Sequence, residues 1–588
     1  MRASTHLIAV LLIAAAACGR DRTPPPPDTA AIDAIGRQVN DLADAYVTSF
    51  FDAFPYNAVT FGAEDRHPDR LADHSLAALA KWQAREDELS RQLRAIDAAR
   101  LEGRSEAITY KFLRHLLESS QRYRTCRMEL WNVSPTYTGW QSDLAVAAGQ
   151  QPVATDEQRR HALARFSQVP KFIDDEIANL QEGVKLGYLA PKNNVRVVIE
   201  QMDALLAAKV ADSPFVQMAP ADAAEFRSAL ERLETTGIRP AIRRYRDYLR
   251  NTYLAAARDA IGVSANPSGS ACYTAAVNYF ATIDMSPQQI HDLGRTQMEK
   301  ILAEMRTIGG RSFGTSDPAK LLILAKNDPK YRFKSREELI AYAEAAIERA
   351  KAALPKYFGR VPKAPVVVEP YPPYLEKSAP AGQAVPPTAD GKPGKYLINA
   401  YRANEQSKAG LESTAFHEAY PGHHMQAAIA LERTDLHRVS RYFFLSGFGE
   451  GWGLYAERLA DEMGLFSSDL DRLGLLSNEA LRAARLVVDA GMHGLGWSRQ
   501  QAVDYLLSHT TETAARANAE IDRYIAVPGQ ATAYMIGNLE IRRLRTEAEQ
   551  KLGAKFDLRE FHDLVLQDGT VPLRALGEKV ARWMAGKQ

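Results

Sequence analysis

His417-Glu418-Ala419-Tyr420-Pro421-Gly422-His423-His424 is the stretch on which the reading of this chain turns, together with Gly449-Glu450-Gly451-Trp452 further on. A common zinc-binding signature places two histidines four apart on one helix face, with a glutamate beside the first. Here the residue four after His417 is Pro421. On an unbroken helix at about 100° per residue, His423 would lie roughly 240° round from His417, and His424 would lie two turns away, roughly 10 Å along the axis. Neither fits a continuous helix. Pro421 lacks the N–H that would bond the carbonyl of residue 417, and Gly422 permits unusual dihedrals, so the pair marks a local break. Two looped-out residues bring His423 to the place of the missing ligand, and three bring His424. His423 is the favoured ligand and His424 the alternative.

A catalytic zinc takes about three protein ligands and leaves one position for water. His417 is the natural first ligand. Glu418 is the natural general base, taking a proton from zinc-bound water and passing it to a leaving amine. Glu450 and Glu457 lie seven apart on one helix face. This run resembles the third-ligand helix of the glutamate-zincins. The expected metal ligands are therefore His417, His423 and Glu450, with Zn2+ as the cofactor and Glu457 as a supporting partner of a ligand.

Working outward, residues 355–400 concentrate proline and glycine around two β-like runs, Pro365–Glu369 and Lys395–Ala400. Zinc peptidases often hold a peptide against a sheet edge by main-chain pairing, and Tyr396–Ala400 is the candidate, with a small structural hairpin as the alternative. Elsewhere, segments such as Asp33–Phe50, Ser75–Leu101, Asp156–Gly187, Ala221–Ala257 and Pro287–Ile308 repeat apolar residues at threes and fours, which predicts helices. Helical texture resumes at Leu411 and runs to the C-terminus. The expected organisation is a signal segment over 1–18, a proline-rich linker over 19–35, an N-terminal helical region over 36–270 and a catalytic region over 271–588, together forming one two-lobed body.

The 73 Lys+Arg nearly balance the 72 Asp+Glu, which argues against nucleic acid as a partner. Met1-Arg2, the short apolar run Leu7–Ala17 and the small residues before Cys18 read as an export signal. Ala15-Ala16-Ala17-Cys18 also resembles a lipobox, which implies a lipid anchor at Cys18 in the cell envelope, facing the periplasm. Pro24–Pro27 fits an extended tether. The two remaining cysteines, Cys126 and Cys272, either pair in the oxidising compartment or stay as separate buried thiols.

Several longer stretches carry a family likeness: "HEAYPGHHMQ" from His417, "GFGEGWGLYAERL" from Gly447, "DAGMHGLGWSRQQAVDYL" from Asp489, "PGQATAYMIGNLEIRRLRTEAEQKLG" from Pro528, "FDLREFHDLVLQDGTVPLRAL" from Phe556 and "CRMELWNVSP" from Cys126. In their order along the chain they resemble the bacterial domain-of-unknown-function family 885, the stretch at Cys126 matching its N-terminal part; the family is grouped with zincin-like metallopeptidases. The resemblance implies a mainly α fold, two-lobed with a deep cleft and a small β element before the metal-binding helix. It carries over His417, Glu418, His423 and Glu450, and supplies no substrate.

Two further residues are catalytic candidates. Tyr534 is the expected oxyanion donor, with a core tyrosine as the alternative. His493 shares a helix stripe with Arg485 and Asp489, which forms either a polar wall of the site or a buried network. Arg542, Arg543 and Arg545 could hold a substrate carboxylate, and His562 reads as structural. The expected function is an exported zinc peptidase acting on short peptides. A non-peptide amidohydrolase and a catalytically inactive peptide-binding lipoprotein are the alternatives.

Overall fold

The computed structural model describes residues 29–587, except 62, 373–375, 377, 378, 389 and 390. The signal segment, Cys18 and the proline tether up to residue 28 lie outside the described residues. Helix α1 (Thr29–Ala53) begins inside the stretch read as linker. Its Val39, Leu42, Ala43, Tyr46 and Val47 make an apolar stripe that must be covered. Helices α2 (Leu76–Arg94) and α3 (Ser105–Tyr123) supply part of that cover. The core they share also takes in Phe416, Phe448, Trp452 and Tyr455, so the first helices are built into the same hydrophobic body as the motif region. Residues from 133 to 257, all helical or in short connections, close with Leu71 around a second core that includes Phe166, Phe172, Met202 and Tyr245.

A third core joins Cys126, Leu130 and Trp131 to helices α4 (Gly269–Ala281) and α5 (Pro287–Ser312). At Ser286, a capping box with Gln289 starts α5. Cys126 and Cys272 form a disulfide, which resolves the two alternatives open for them.

The proline-rich stretch holds a three-stranded sheet, β1 (Val366–Pro370), β2 (Gly382–Val385) and β3 (Gly394–Ile398), in the order β1–β3–β2. β1 runs parallel to β3 and β2 antiparallel to it, with Ala384 opposite Tyr396. This corrects one expectation. The Tyr396–Ala400 run supplies the central strand, with both main-chain flanks occupied, and cannot accept a further strand. β2 is an edge strand instead.

After the sheet come α6 (Leu411–Glu418), α7 (His423–Glu432), α8 (Ser446–Glu462), α9 (Asp469–Gly494), α10 (Ala514–Ala526), α11 (Ala533–Leu552) and α12 (Leu558–Leu566). Helix α9 is buried along almost its whole length, as expected of an element packed on every side. The chain is thus mainly α with one small sheet. No described helix is long and apolar enough to cross a membrane.

Candidate metal centre

The break between the two halves of the motif is the first thing the local sequence dictates. α6 ends at Glu418 and α7 begins at His423, with the Tyr420–Pro421 peptide cis between them. A Cβ on Gly422 would fall 1.9 Å from the carbonyl oxygen of His417, so only glycine lets the chain fold back this closely. The Trp452 indole on α8 donates to the Pro421 carbonyl at 2.9 Å, fastening the break to the neighbouring helix.

This reversal sets the His417 and His423 rings at right angles with centroids 4.6 Å apart. The Nε2 atoms of both lie 3.5 Å from Oε2 of Glu450 on α8. One ligand atom from each of His417, His423 and Glu450 falls within 4.8 Å of the others. Two glycine positions allow the approach. A Cβ on Gly453 would strike Cε1 of His417 at 2.5 Å, so the imidazole lies flat on α8. A Cβ on Gly451 would meet Gly537 of α11 at 2.5 Å, so α8 and α11 touch backbone to backbone beside Glu450.

Glu457, one face-repeat along α8, is 1% exposed and accepts a hydrogen bond from Nδ1 of His417 at 2.8 Å. Its other oxygen accepts from the Ser413 hydroxyl. A protonated Nδ1 leaves the Nε2 lone pair directed at the group, which is the orientation a metal ligand needs. Burial disfavours charge on His417, yet Glu450 and Glu457 outweigh it and push its pKa up to about 10. Burial likewise opposes ionisation of Glu450, but hydrogen bonding to His417 and His423 holds it far below the usual carboxylate range. Two imidazoles and a carboxylate converging in this way gather positive charge, whether a proton or a metal. Two nitrogens and one oxygen also match the donor set of an open zinc site.

The remaining candidates separate. Glu418 is half-buried at the end of α6 and accepts from the Ala384 N–H of β2 at 2.8 Å. His424 is buried on the opposite side, where its Nε2 donates to the Ala364 carbonyl at 3.0 Å, so it does not join the group. Tyr534 opens α11 with the Arg485 guanidinium 4.7 Å from its ring centroid. Burial first, then Glu450, push its hydroxyl up to about 12, so it stays protonated and able to donate.

His493 requires correction as a catalytic candidate. It is fully buried, its Nδ1 accepts from the Val263 N–H at 3.0 Å and its Nε2 donates to the Tyr524 carbonyl at 3.0 Å. Both ring nitrogens are therefore engaged, and the ring fixes main chain. Asp489 on the same stripe accepts from the Tyr273 hydroxyl and the Gly529 N–H. The stripe is a buried network.

His562 is structural, between the Tyr357 carbonyl and the Tyr455 hydroxyl. Arg543 and Arg545 are held by Glu540, Glu547, Glu462 and Glu549, and Arg542 faces Glu479. Sequence reasoning missed Tyr137 and Arg523. Tyr137 is 55% exposed, and its hydroxyl feels both Arg523 and Glu450 electrostatically. The only signal for it was a Pro135-Thr136-Tyr137 turn beside the quoted N-terminal motif.

A family model described as "Bacterial protein of unknown function (DUF885)" matches residues 55–580. Two solved structures, each described as a putative lipoprotein, are similar to this chain. The one from Colwellia psychrerythraea is 27% identical with a TM-score of 0.84, covering 94% of this chain and 100% of its own. The other, of unknown function, is from Shewanella oneidensis, 20% identical with a TM-score of 0.71 over 91% and 98%. No curated protein matches the chain.

Proposed function

We propose that this chain, which belongs to the bacterial DUF885 family, is an exported zinc-dependent peptidase that hydrolyses amide bonds of short peptides. The observation that carries the reading is the convergence of His417, His423 and Glu450 within 4.8 Å, with Glu418 next to the first ligand and Glu457 orienting it. His417 and His423 through Nε2 and Glu450 through a carboxylate oxygen would hold the ion. When bound, zinc would act as a Lewis acid that polarises the scissile carbonyl and acidifies water.

Glu418 takes the proton of the attacking water on its carboxylate and hands it to the departing amine, so the same oxygen serves as base and then acid. The Ala384 N–H fixes that carboxylate in place. Tyr534 keeps its proton at neutral pH and donates to the oxyanion. β2, the edge strand beside Glu418, would pair with the peptide main chain. The likeness to the 27%-identical structure described as a putative lipoprotein and the lipobox-like stretch before Cys18 support an envelope location with a lipid anchor.

The test is metal content and peptide-library digestion of purified protein and its Glu418→Gln variant. Stoichiometric zinc in both proteins is expected, with turnover lower by about 100- to 10,000-fold in the variant. Undiminished turnover in Glu418→Gln would sink the mechanism, and zinc loss in His424→Ala with retention in His423→Ala would reassign the ligand.

A further inference from the structure

Beside the candidate metal centre lies a charge cluster to which the peptidase reading gives no task. Arg485 on α9 donates from Nε to the Tyr524 hydroxyl at 2.8 Å and from Nη2 to Glu520 at 3.1 Å. Arg523 on α10 donates to the same Glu520 oxygen at 2.9 Å and to the Gln530 side-chain oxygen at 2.6 Å. Tyr524 also donates to that oxygen. Two guanidiniums thus share one carboxylate, and the other partners are neutral. Asp489, the other acid nearby, turns its bonded oxygen to Tyr273 and Gly529. The cluster keeps one positive charge in excess in a place where charge is rarely left unanswered.

The excess charge faces the site. Arg485 lies under the Tyr534 ring, and Tyr534 stands one turn before Gly537, where α11 touches α8 beside Glu450. The Tyr137 hydroxyl, from the N-terminal half of the chain, feels Arg523 as an electrostatic and hydrogen-bonding neighbour. Neither tyrosine hydroxyl is taken up by an acid in the way that Tyr524 is. One uncompensated guanidinium charge, with two phenolic donors in front of it, matches a monoanion with planar oxygens.

Resting on the peptidase reading, we propose that Arg523 and Arg485, fronted by Tyr137 and Tyr534, form the seat for a carboxylate of the peptide substrate. That carboxylate is either the C-terminal one or that of an acidic side chain. Seated there, it fixes which bond lies over the candidate metal centre, and substrates with a carboxylate in that position are selected over neutral ones. The sequence-level candidates for this task, Arg542, Arg543 and Arg545, are spent on acids of their own and of α8 and α9.

The test uses the full mature chain loaded with zinc and carrying Glu418→Gln, so that binding is read without turnover. The probes are N-acetylated pentapeptides with a free C-terminus, their C-terminal amides, and amides with an internal Glu in place of Gln, measured by calorimetry. A carboxylate is expected to tighten binding by about 10- to 100-fold over the neutral peptide. The first and third probes tell which carboxylate it is. In Arg523→Gln the ratio should collapse towards one, and Arg523→Lys should restore part of it, which a merely structural arginine would not do.

Equal binding of all three probes, or binding of none, overturns the seat. Cleavage of the neutral amide as efficient as that of both carboxylate-bearing peptides would likewise overturn it while leaving the peptidase reading intact. Carboxylate-selective binding with no cleavage by the wild-type protein would keep the seat and refute the peptidase reading.

Discussion

His417 is held by what surrounds it more than by its own position in the helix. Glu457 fixes its Nδ1 side, and the bare backbone at Gly453 gives its ring a place to lie. A methyl at residue 453 would sit 2.5 Å from Cε1 and 2.7 Å from Nε2. In Gly453→Ala the imidazole must therefore swing away from Glu450. The expected result is a metal affinity lower by about 10- to 100-fold with helical content unchanged, read by metal titration beside far-UV circular dichroism. A variant that binds metal normally would show that the ring has room to adapt.

The ligand residues could be read from the sequence because donors of fixed chemical type recur at spacings a helix turn can interpret. His493 misled for the opposite reason. A stripe of Arg485, Asp489 and His493 looks the same whether it lines a site or, as here, ties α9 to the carbonyl of Tyr524 and the N–H of Val263. Tyr137 and Arg523 were out of reach, since nothing in the intervening sequence links the two positions.

At the scale of elements, the motif works as a helix interrupted and restarted. Pro421 and Gly422 announce the interruption in the sequence. Among the bonds that hold it is one from Trp452, a residue on another helix, to the Pro421 carbonyl. Replacing it in Trp452→Phe keeps most of the buried ring and leaves that carbonyl without its partner. The expected loss is about 1–3 kcal/mol in denaturant unfolding, accompanied by weaker metal binding because His423 follows two residues later. Loss of stability without any change at the metal would mean that the break holds itself.

The sheet was only half legible. β1 and β3 are rich in Val, Tyr, Leu and Ile and declare themselves as strands. β2 is Gly-Gln-Ala-Val between prolines and has no such signature. Its place comes from pairing with β3 and from contact with Glu418. Because strand order depends on contacts between distant residues, the run taken for the open edge became the middle strand.

For the molecule as a whole, the buried titratable groups set a pH dependence whose sign can be worked out. His493 and His562 are fully buried, and burial lowers their pKa values to about 4 and about 3. An unfolded histidine titrates near 6.5, so below that pH the unfolded chain takes up protons that the folded chain refuses. The stability these two residues secure is complete above pH 6.5. It is lost as the pH falls to about 4 for His493 and about 3 for His562, amounting to roughly 3–5 kcal/mol each at most. Asp489 acts in the opposite sense. Burial raises it to about 7, so the folded state keeps a proton that the unfolded state releases above its ordinary value, and this contribution grows as the pH falls from 7 towards 4. The melting temperature should therefore drop between pH 6.5 and 4, and drop more steeply in Asp489→Asn. An equal slope in the two proteins would count against a proton on Asp489.

The disulfide between Cys126 and Cys272 has a bearing on how the chain survives damage. The residues it encloses, 127–271, contain every buried member of the second core except Leu71, so that body hangs from the rest as a closed loop. A protease that cuts any exposed turn within the loop opens the ring without parting the molecule. The two fragments stay linked and in register across α4, and only a reductant separates them. A single cut in the loop is thereby made survivable.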